Sequence, residues 1–230
     1  MKARIRYAKT GHFKFIGHLD MMRFFQKAIK RADLDIAYSQ GFNPHQLMSF
    51  AAPLSLGISS DGEYFDADFH NVPSCEEMKH KLNAVMPEGV KIHDFAILPE
   101  HAKKAMSVTA GSDYQISMEQ IWEQSVIEDF MKQDGILILK KTKRTEKEED
   151  IKPFIYEIKI EENQLYMLLS TGSENNVKPE LVLQALCSFT KKEYNKFDYQ
   201  IHRLDTYMWN DEKQFIPLIA IGTKNMETDE

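Results

Sequence analysis

Cysteine is almost missing from this chain: there are two in 230 residues, Cys75 and Cys187. They lie far apart, without the paired spacing of a metal knuckle. That excludes a disulfide scaffold, a zinc ribbon and a Cys-ligated iron–sulfur cluster. The same scarcity fits a reducing cytoplasm, which is the expected location. Charge is missing from residues 36–60. This stretch is still no membrane span, because it holds Gly41, Asn43, Pro44, His45, Gln46, Pro53 and Gly57. P-loop, GxGxxG and HExxH motifs are also lacking. The opening MKARIRYAK is charged and alternating, unlike a signal peptide.

What remains is the composition of an ordinary folded protein, 43% hydrophobic and 28% charged. The net charge is −6, but it is unevenly placed. Residues 1–50 hold nine Lys/Arg against three acids, a net +6, so the other 180 residues carry −12. A basic head on an acidic body says more about partners than the mean does.

The element order of the first half reads β-α-β-β-α-β, and the second half repeats it loosely. Residues 2–7 alternate, with Ala3, Ile5 and Tyr7 facing a core and Lys2, Arg4 and Arg6 facing away. A helix is predicted from about Leu19 to Ala32, burying Met22, Phe25, Ile29 and Ala32, with Asp20 in its first turn. A short strand is predicted at 35–38, a loop over 41–53 and a strand at 63–69. A helix follows, opened by the Ser74/Glu77 capping box, then a strand at 90–98. In the second half, a strand at 108–117 leads to a helix capped by Ser117 and Gln120 and ending near Met131. Strands are predicted at 136–140 and 153–160, the latter presenting Phe154, Tyr156, Ile158 and Ile160 on one face. A hairpin partner at 164–169, a helix opened by Pro179 and a strand at 201–209 complete the chain. Residues 223–230 read as a frayed tail. The expected class is α+β, as two tandem ferredoxin-like βαββαβ domains over residues 1–100 and 101–230.

Three chemistries compete for the head. His18, Asp20 and His45 are candidates for a metal-dependent hydrolase site, although their spacing is not a standard ligand pattern. His12, His18 or His45 are candidates for acid–base work in a metal-independent endoribonuclease. Nucleic-acid binding is the third: Arg4, Arg6, Lys14, Arg23, Lys27, Lys30 and Arg31 can track a phosphate backbone, with Phe13, Phe15 and Phe42 stacking on bases. Arg203 on the last strand either meets a phosphate or pairs with Asp205. The basic run 140–144 reads as a hairpin tip, and Asp150-Ile151-Lys152-Pro153 as a pinned turn. A further alternative is a protein-interaction module built on the uncharged segment 39–53.

Two motifs carry a family resemblance. Lys14-Phe15-Ile16-Gly17-His18-Leu19-Asp20-Met21-Met22-Arg23 resembles the opening K-F-[IL]-S-H-L-D-L-M-R of the radical SAM-linked proteins of the DUF2344 type. Ala37-Tyr38-Ser39-Gln40-Gly41-Phe42-Asn43-Pro44-His45 resembles their A-Y-S-x-G-F-N-P-H signature. Ser49-Phe50, Pro53-Leu54, Leu56-Gly57, Gly62-Glu63-Tyr64, Asp66, Asp150-Ile151-Lys152-Pro153 and Arg203 continue the match. Gly17 departs from the usual Ser, and Lys152 from the usual Arg. The resemblance implies a partner, a radical SAM enzyme that carries SAM and an iron–sulfur cluster, with no cofactor in this chain itself. It brings no assigned activity. Together with the basic head, it leads to the expectation of an accessory that binds tRNA or ribosomal RNA, or presents a substrate, for RNA modification. Tandem ferredoxin-like folds with a basic face also resemble endoribonucleases that process CRISPR RNA, by fold analogy alone.

Overall fold

The computed structural model describes residues 1–141, 146–173 and 175–224. In chain order these form β1 (Lys2–Lys9), α1 (His18–Arg31), β2 (Met48–Phe50), β3 (Ser59–Asp68), α2 (Cys75–Ala84), β4 (Val90–Ile97) and the short α3 (Ala105–Val108). There follow β5 (Thr109–Ser117), α4 (Gln124–Met131), β6 (Leu137–Lys141), β7 (Glu146–Asp150), β8 (Ile155–Glu161), β9 (Gln164–Ser170), α5 (Pro179–Phe189), β10 (Gln200–Trp209) and β11 (Phe215–Pro217). The chain folds as two units, residues 1–110 with 205–230, and residues 111–204. The expected division at residue 100 thus differs from the one found: the last strand returns the chain to the first unit, so 205–230 do not belong with the second.

In the first unit β1 is central. It pairs antiparallel with β3, Lys2 opposite Asp68, and with β4, Ala3 opposite Ile97. Short β2 adds antiparallel to the far half of β3, Phe50 opposite Phe65. The strand order is β4-β1-β3-β2. At the other half of β3, the Thr206 hydroxyl of β10 donates to Gly62 O at 2.9 Å. β11 pairs antiparallel with the end of β10.

The helix α1 forms where its apolar spacing predicts and buries Phe25 and Ile29 as expected, but Met21 and Ala28 complete the inner face, while Met22, expected in the stripe, is only partly buried. Phe25 meets Tyr7 at 4.6 Å and Phe65 at 4.7 Å between ring centroids, so one aromatic cluster joins helix to sheet. Such pairs add to the hydrophobic gain of burial. On α2 the capping box holds, since Ser74 Oγ accepts from Glu77 N at 3.1 Å. Gly89 is needed for its backbone. Its φ is +93°, and a Cβ there would stand 2.8 Å from Thr10 O.

Some local expectations fail here. Residues 35–38 form no strand, only isolated bridges from Ile36 to Phe69 and Tyr38 to Gln46, while the expected loop contains β2. The tail is not frayed at its start: Thr223 exchanges backbone hydrogen bonds with Ile97, and the Lys224 ammonium binds Asp94. Residues 225–230 lie outside the described residues.

In the second unit β9 lies between β5 and β8, antiparallel to both. Ile116, Ile127, Phe130, Leu165, Met167, Leu169, Val182, Leu183 and Leu186 are fully buried. Pro179 opens α5 as predicted. The cap of α4 is Glu123, because Ser117 Oγ instead accepts from the Gln164 amide at 2.7 Å. An irregularity between Ile155 and Glu157 breaks the alternation of β8. Ile155 and Ile158 therefore face inward and Tyr156 outward, instead of a common face for Tyr156 and Ile158. The turn 150–153 is pinned as expected: Asp150 Oδ1 accepts from Ile136 N at 2.8 Å and Lys152 N at 3.0 Å. Lys152 Nζ donates to Gln133 O at 2.5 Å. β6 and β7 pair as a separate hairpin, and the tip expected at the basic run falls on residues 142–145, outside the described ones.

Candidate nucleic-acid interface

Arg23, Lys27 and Lys30 recur at i, i+4 and i+7 and so share one face of α1. All three are exposed, as is Arg31 in the last turn. Opposite this face stands the loop 39–45. Its base is closed three times by the same two residues: Ser39 N donates to His45 O at 2.8 Å, His45 N donates to Ser39 Oγ at 3.1 Å, and Ser39 Oγ meets His45 Nδ1 at 2.8 Å. Gly41, with φ +115°, takes the turn at the tip. Phe42 beside it is fully exposed, at 106% of its reference area. Asn43 and Pro44 bring the chain back, both exposed.

The loop is tied to the helix by Gln46. Its side-chain amide donates to Gln26 O of α1 at 3.2 Å and to the Tyr38 hydroxyl at 3.4 Å. Between them lies a groove of about 350 Å³ lined by Arg23, Gln26, Lys27, Lys30, Tyr38, Pro44, His45 and Gln46. Arg23 is paired with Asp20 at 3.1 Å, and both are well exposed, so the pair is labile. Lys27 and Lys30 have no carboxylate partner among the described residues. The arrangement offers ammonium groups to an anionic backbone and an unburied ring to a base. Sequence reasoning selected these cations and Phe42. It missed Gln26, and it read Tyr38 only as part of a motif and Gln46 only as part of an uncharged stretch, because their anchoring role depends on a helix and loop meeting.

The other selected cations go elsewhere. Arg4 does not face solvent; it is 0% exposed. Its guanidinium donates to both oxygens of Asp66 at 2.7 and 3.1 Å, to Leu218 O at 2.9 Å and to Lys103 O at 3.1 Å. The outer face of the sheet is covered there by Ala105 and Leu218, so alternation put Arg4 on the correct face but that face is dry. Arg6 is half-buried between Asp205 at 3.1 Å and Asp94 at 3.7 Å. Arg203 is buried too, donating to the Tyr114 hydroxyl at 3.1 Å and lying over that ring at 5.5 Å, so it is not a surface phosphate ligand. Lys14 is partly exposed, its ammonium over the exposed Phe15 ring at 5.2 Å. Phe13 packs on Phe24 against the core and is not a free stacking platform.

His18, Asp20 and His45 do not come together in one pocket. His18 sits edge-on to Phe50 at 5.6 Å and lines a narrow cavity with Lys9, Met21 and Glu63. His45 lines the helix–loop groove, and Asp20 faces Arg23. Among the described residues no group of three His, Cys, Asp or Glu is placed to hold a metal ion. His12 is exposed on the 3-10 turn Gly11–Phe15. One buried carboxylate in this unit is perturbed: burial, opposed by the Tyr64 hydrogen bond and Arg6, raises the Asp205 carboxyl above its ordinary range. Burial and the Asp205 charge in turn raise the Tyr64 phenol, so it remains the donor of their 2.6 Å hydrogen bond.

Among known proteins, the family described as "Uncharacterized protein conserved in bacteria (DUF2344)" matches residues 2–179. No curated protein matches the chain. A chain of the solved structure described as "Crystal Structure of a Cbf5-Nop10-Gar1 Complex" is similar at a TM-score of 0.45 and 9% identity, covering 89% of this chain and 48% of that one. The present chain thus spans about half the length of that protein. Among the described residues no helix is long and apolar enough to cross a membrane.

Proposed function

We propose that this chain, which belongs to the DUF2344 family, is a cytoplasmic accessory that binds RNA for a radical SAM enzyme and has no independent catalytic activity. The observation that carries the reading is the groove between α1 and the loop 39–45. There Arg23, Lys27 and Lys30 line one wall, and Phe42 stands fully exposed on the loop that forms the other. Cations on a rigid helix hold a phosphate backbone, and a projecting ring beside them holds an unstacked base. That combination suits the single-stranded parts of tRNA or ribosomal RNA better than a small substrate.

The antiparallel order β4-β1-β3-β2, with helices after β1 and β3, supports reading the first unit as ferredoxin-like; β5, β8 and β9 with α4 and α5 support the same reading for the second. The link to a radical SAM enzyme rests on the motif resemblance. The exposed side chains of Phe15, Leu19 and Leu56 supply apolar surface of the kind a protein partner covers.

The test is a titration of purified protein with tRNA and ribosomal RNA at rising salt. With three cations engaged, log affinity is expected to fall with log salt at a slope of about −2. The Lys27→Glu, Lys30→Glu double variant is expected to weaken binding about a hundredfold, and Phe42→Ala to weaken it about tenfold without changing the slope. Salt-independent binding, or binding untouched by the double variant, overturns the reading. Altered RNA in the same tubes would instead make the chain a nuclease.

A further inference from the structure

The second unit holds a cavity that the RNA-binding groove does not explain. It measures about 490 Å³, within the ~300–1,000 Å³ usual for small-molecule sites. Ser117, Met118, Glu119, Gln120 and Trp122 line one side, Lys192, Glu193, Phe197, Asp198, Tyr199 and Gln200 the other. From these residues we infer that the cavity binds a nucleobase, presented by a free nucleoside or by single-stranded RNA. The inference stands on this unit alone and does not depend on the groove.

Three features point to a flat, polar-edged occupant. The first is an aromatic wall. Trp122 and Tyr199 lie parallel, 7° apart at 6.2 Å between centroids, and Tyr194 continues the stack at 10° and 5.5 Å. Tyr199 is fixed from behind by its hydroxyl, 3.0 Å from the Cys187 sulfur. Parallel rings held this firmly form a platform whose orientation costs nothing to set when a ligand arrives. Phe197 stands at the edge, 81% exposed, carried there by the turn that Asn195 caps through Phe197 N.

The second feature is the indole N–H of Trp122. The residue is 5% exposed, and its Nε1 is buried without an acceptor among the described residues. Buried donors are nearly always satisfied, and Trp122 lines the cavity, so an occupant that reaches the indole edge would supply the missing acceptor. Ring nitrogens and carbonyls of a base are such acceptors. The third feature is charge. Glu119, Glu193 and Asp198 face a single lining cation, Lys192, whose ammonium lies over the Trp122 ring at 5.5 Å. Three carboxylates repel a phosphate, while Glu119, Glu193 and Gln120 can accept from the amino and imino groups of a base edge. The cavity therefore suits a base or nucleoside and rejects a nucleotide's phosphates.

The chain has two tryptophans, so Trp209→Phe leaves Trp122 as the only indole reporter. In that variant, nucleosides and short single-stranded oligonucleotides are expected to quench the fluorescence saturably. The corresponding nucleoside triphosphates should bind about tenfold more weakly than nucleosides. Quenching by nucleosides identifies a free ligand as the source; quenching by oligonucleotides alone identifies an RNA base. Phe197→Ala is expected to weaken binding about tenfold through lost stacking. Trp122→Phe, followed by saturation-transfer NMR, is expected to weaken nucleoside binding about tenfold, beyond whatever the lost ring volume costs the thermal midpoint. A purely structural indole would show a lower midpoint with binding retained. Absence of saturable quenching, tighter binding of triphosphates, or binding indifferent to both variants overturns the inference.

Discussion

Strand β1 and helix α1 each carry four basic residues, and the fold uses them in opposite ways. On β1, Arg4 is sealed against Asp66, Arg6 lies between Asp94 and Asp205, and buried Lys9 donates to Ile16 O at 2.7 Å. On α1, Arg23, Lys27, Lys30 and Arg31 are all exposed, and only Arg23 has a carboxylate partner among the described residues. The number of basic residues counted along the chain is the same in both places. On β1 only Lys2 and the ion-paired Arg6 stay half-exposed, whereas the whole helix set reaches solvent where it can meet an anion. A net +6 head is therefore not a +6 surface, and any binding site has to be assigned from the helix.

The sharpest way to break this comparison is to remove one member of the buried set. Arg4→Met leaves Asp66 charged, buried and without its guanidinium, and leaves Leu218 O and Lys103 O unbonded by that side chain. Truncating one partner of a buried pair costs about 3–5 kcal/mol. Chemical denaturation should show a loss of that size, and a variant that remains folded should bind RNA as before. Replacing both partners, with Arg4→Met and Asp66→Leu, should recover part of the loss, the remainder being the buried Ala105 amide that donates to Asp66 Oδ2 at 2.7 Å and the two carbonyls that Arg4 served.

The helix set should respond in the reverse sense. The Lys27→Glu, Lys30→Glu variant is expected to lose about a hundredfold in RNA affinity, because two phosphate contacts become repulsions. Its stability should move by no more than about 0.5 kcal/mol, since both positions are exposed. If stability fell as far as in the Arg4 variant, the helix cations would be structural and the distinction would fail.

A smaller effect tests the Arg6 end of the buried set. Burial raises the Asp205 carboxyl above 3.8 despite Arg6 and Tyr64. The folded state therefore holds that proton more tightly than the unfolded chain. The resulting stabilisation is fully present below the ordinary carboxylate value and is lost as pH rises through the raised one. Asp205→Asn should flatten this decline in the stability–pH curve, measured by denaturation at a series of pH values. An unchanged curve would mean that Arg6 compensates the burial completely.

These contrasts show which parts of the molecule were legible beforehand. Helix α1 was, because its apolar residues recur at helical spacing and that spacing alone selects a face. The Ser74 cap and the Pro179 start were legible for the same local reason. Arg4 was not. Alternation assigns a residue to one side of a sheet, but whether that side is wet depends on what covers it, and here the cover includes Leu218, 214 residues downstream. The loop 39–45 was recognisable as a motif, yet its use of Ser39 and His45 as a clasp appears only when the chain closes. The same clasp holds His45 on the helix–loop groove, apart from the cavity that His18 lines. In the second unit the lining of the cavity comes from the segments 117–122 and 192–200, which no sequence spacing connects.

The smallest effect concerns the start of the helix itself. Gly17 is the N-cap of α1, with extended backbone angles of −71° and 163° and no side chain to accept from the first turn. A Cβ added there would meet nothing within 4 Å. Ser at this position can bond the free amide groups of the first turn, and relative to glycine that gains only a few tenths of a kcal/mol. Gly17→Ser should therefore raise the unfolding midpoint slightly and leave RNA affinity unchanged, because the cap lies a full turn before Arg23. If affinity rose with stability, the start of α1 would belong to the interface, and the line between the paired strand and the exposed helix would have to be drawn earlier in the chain.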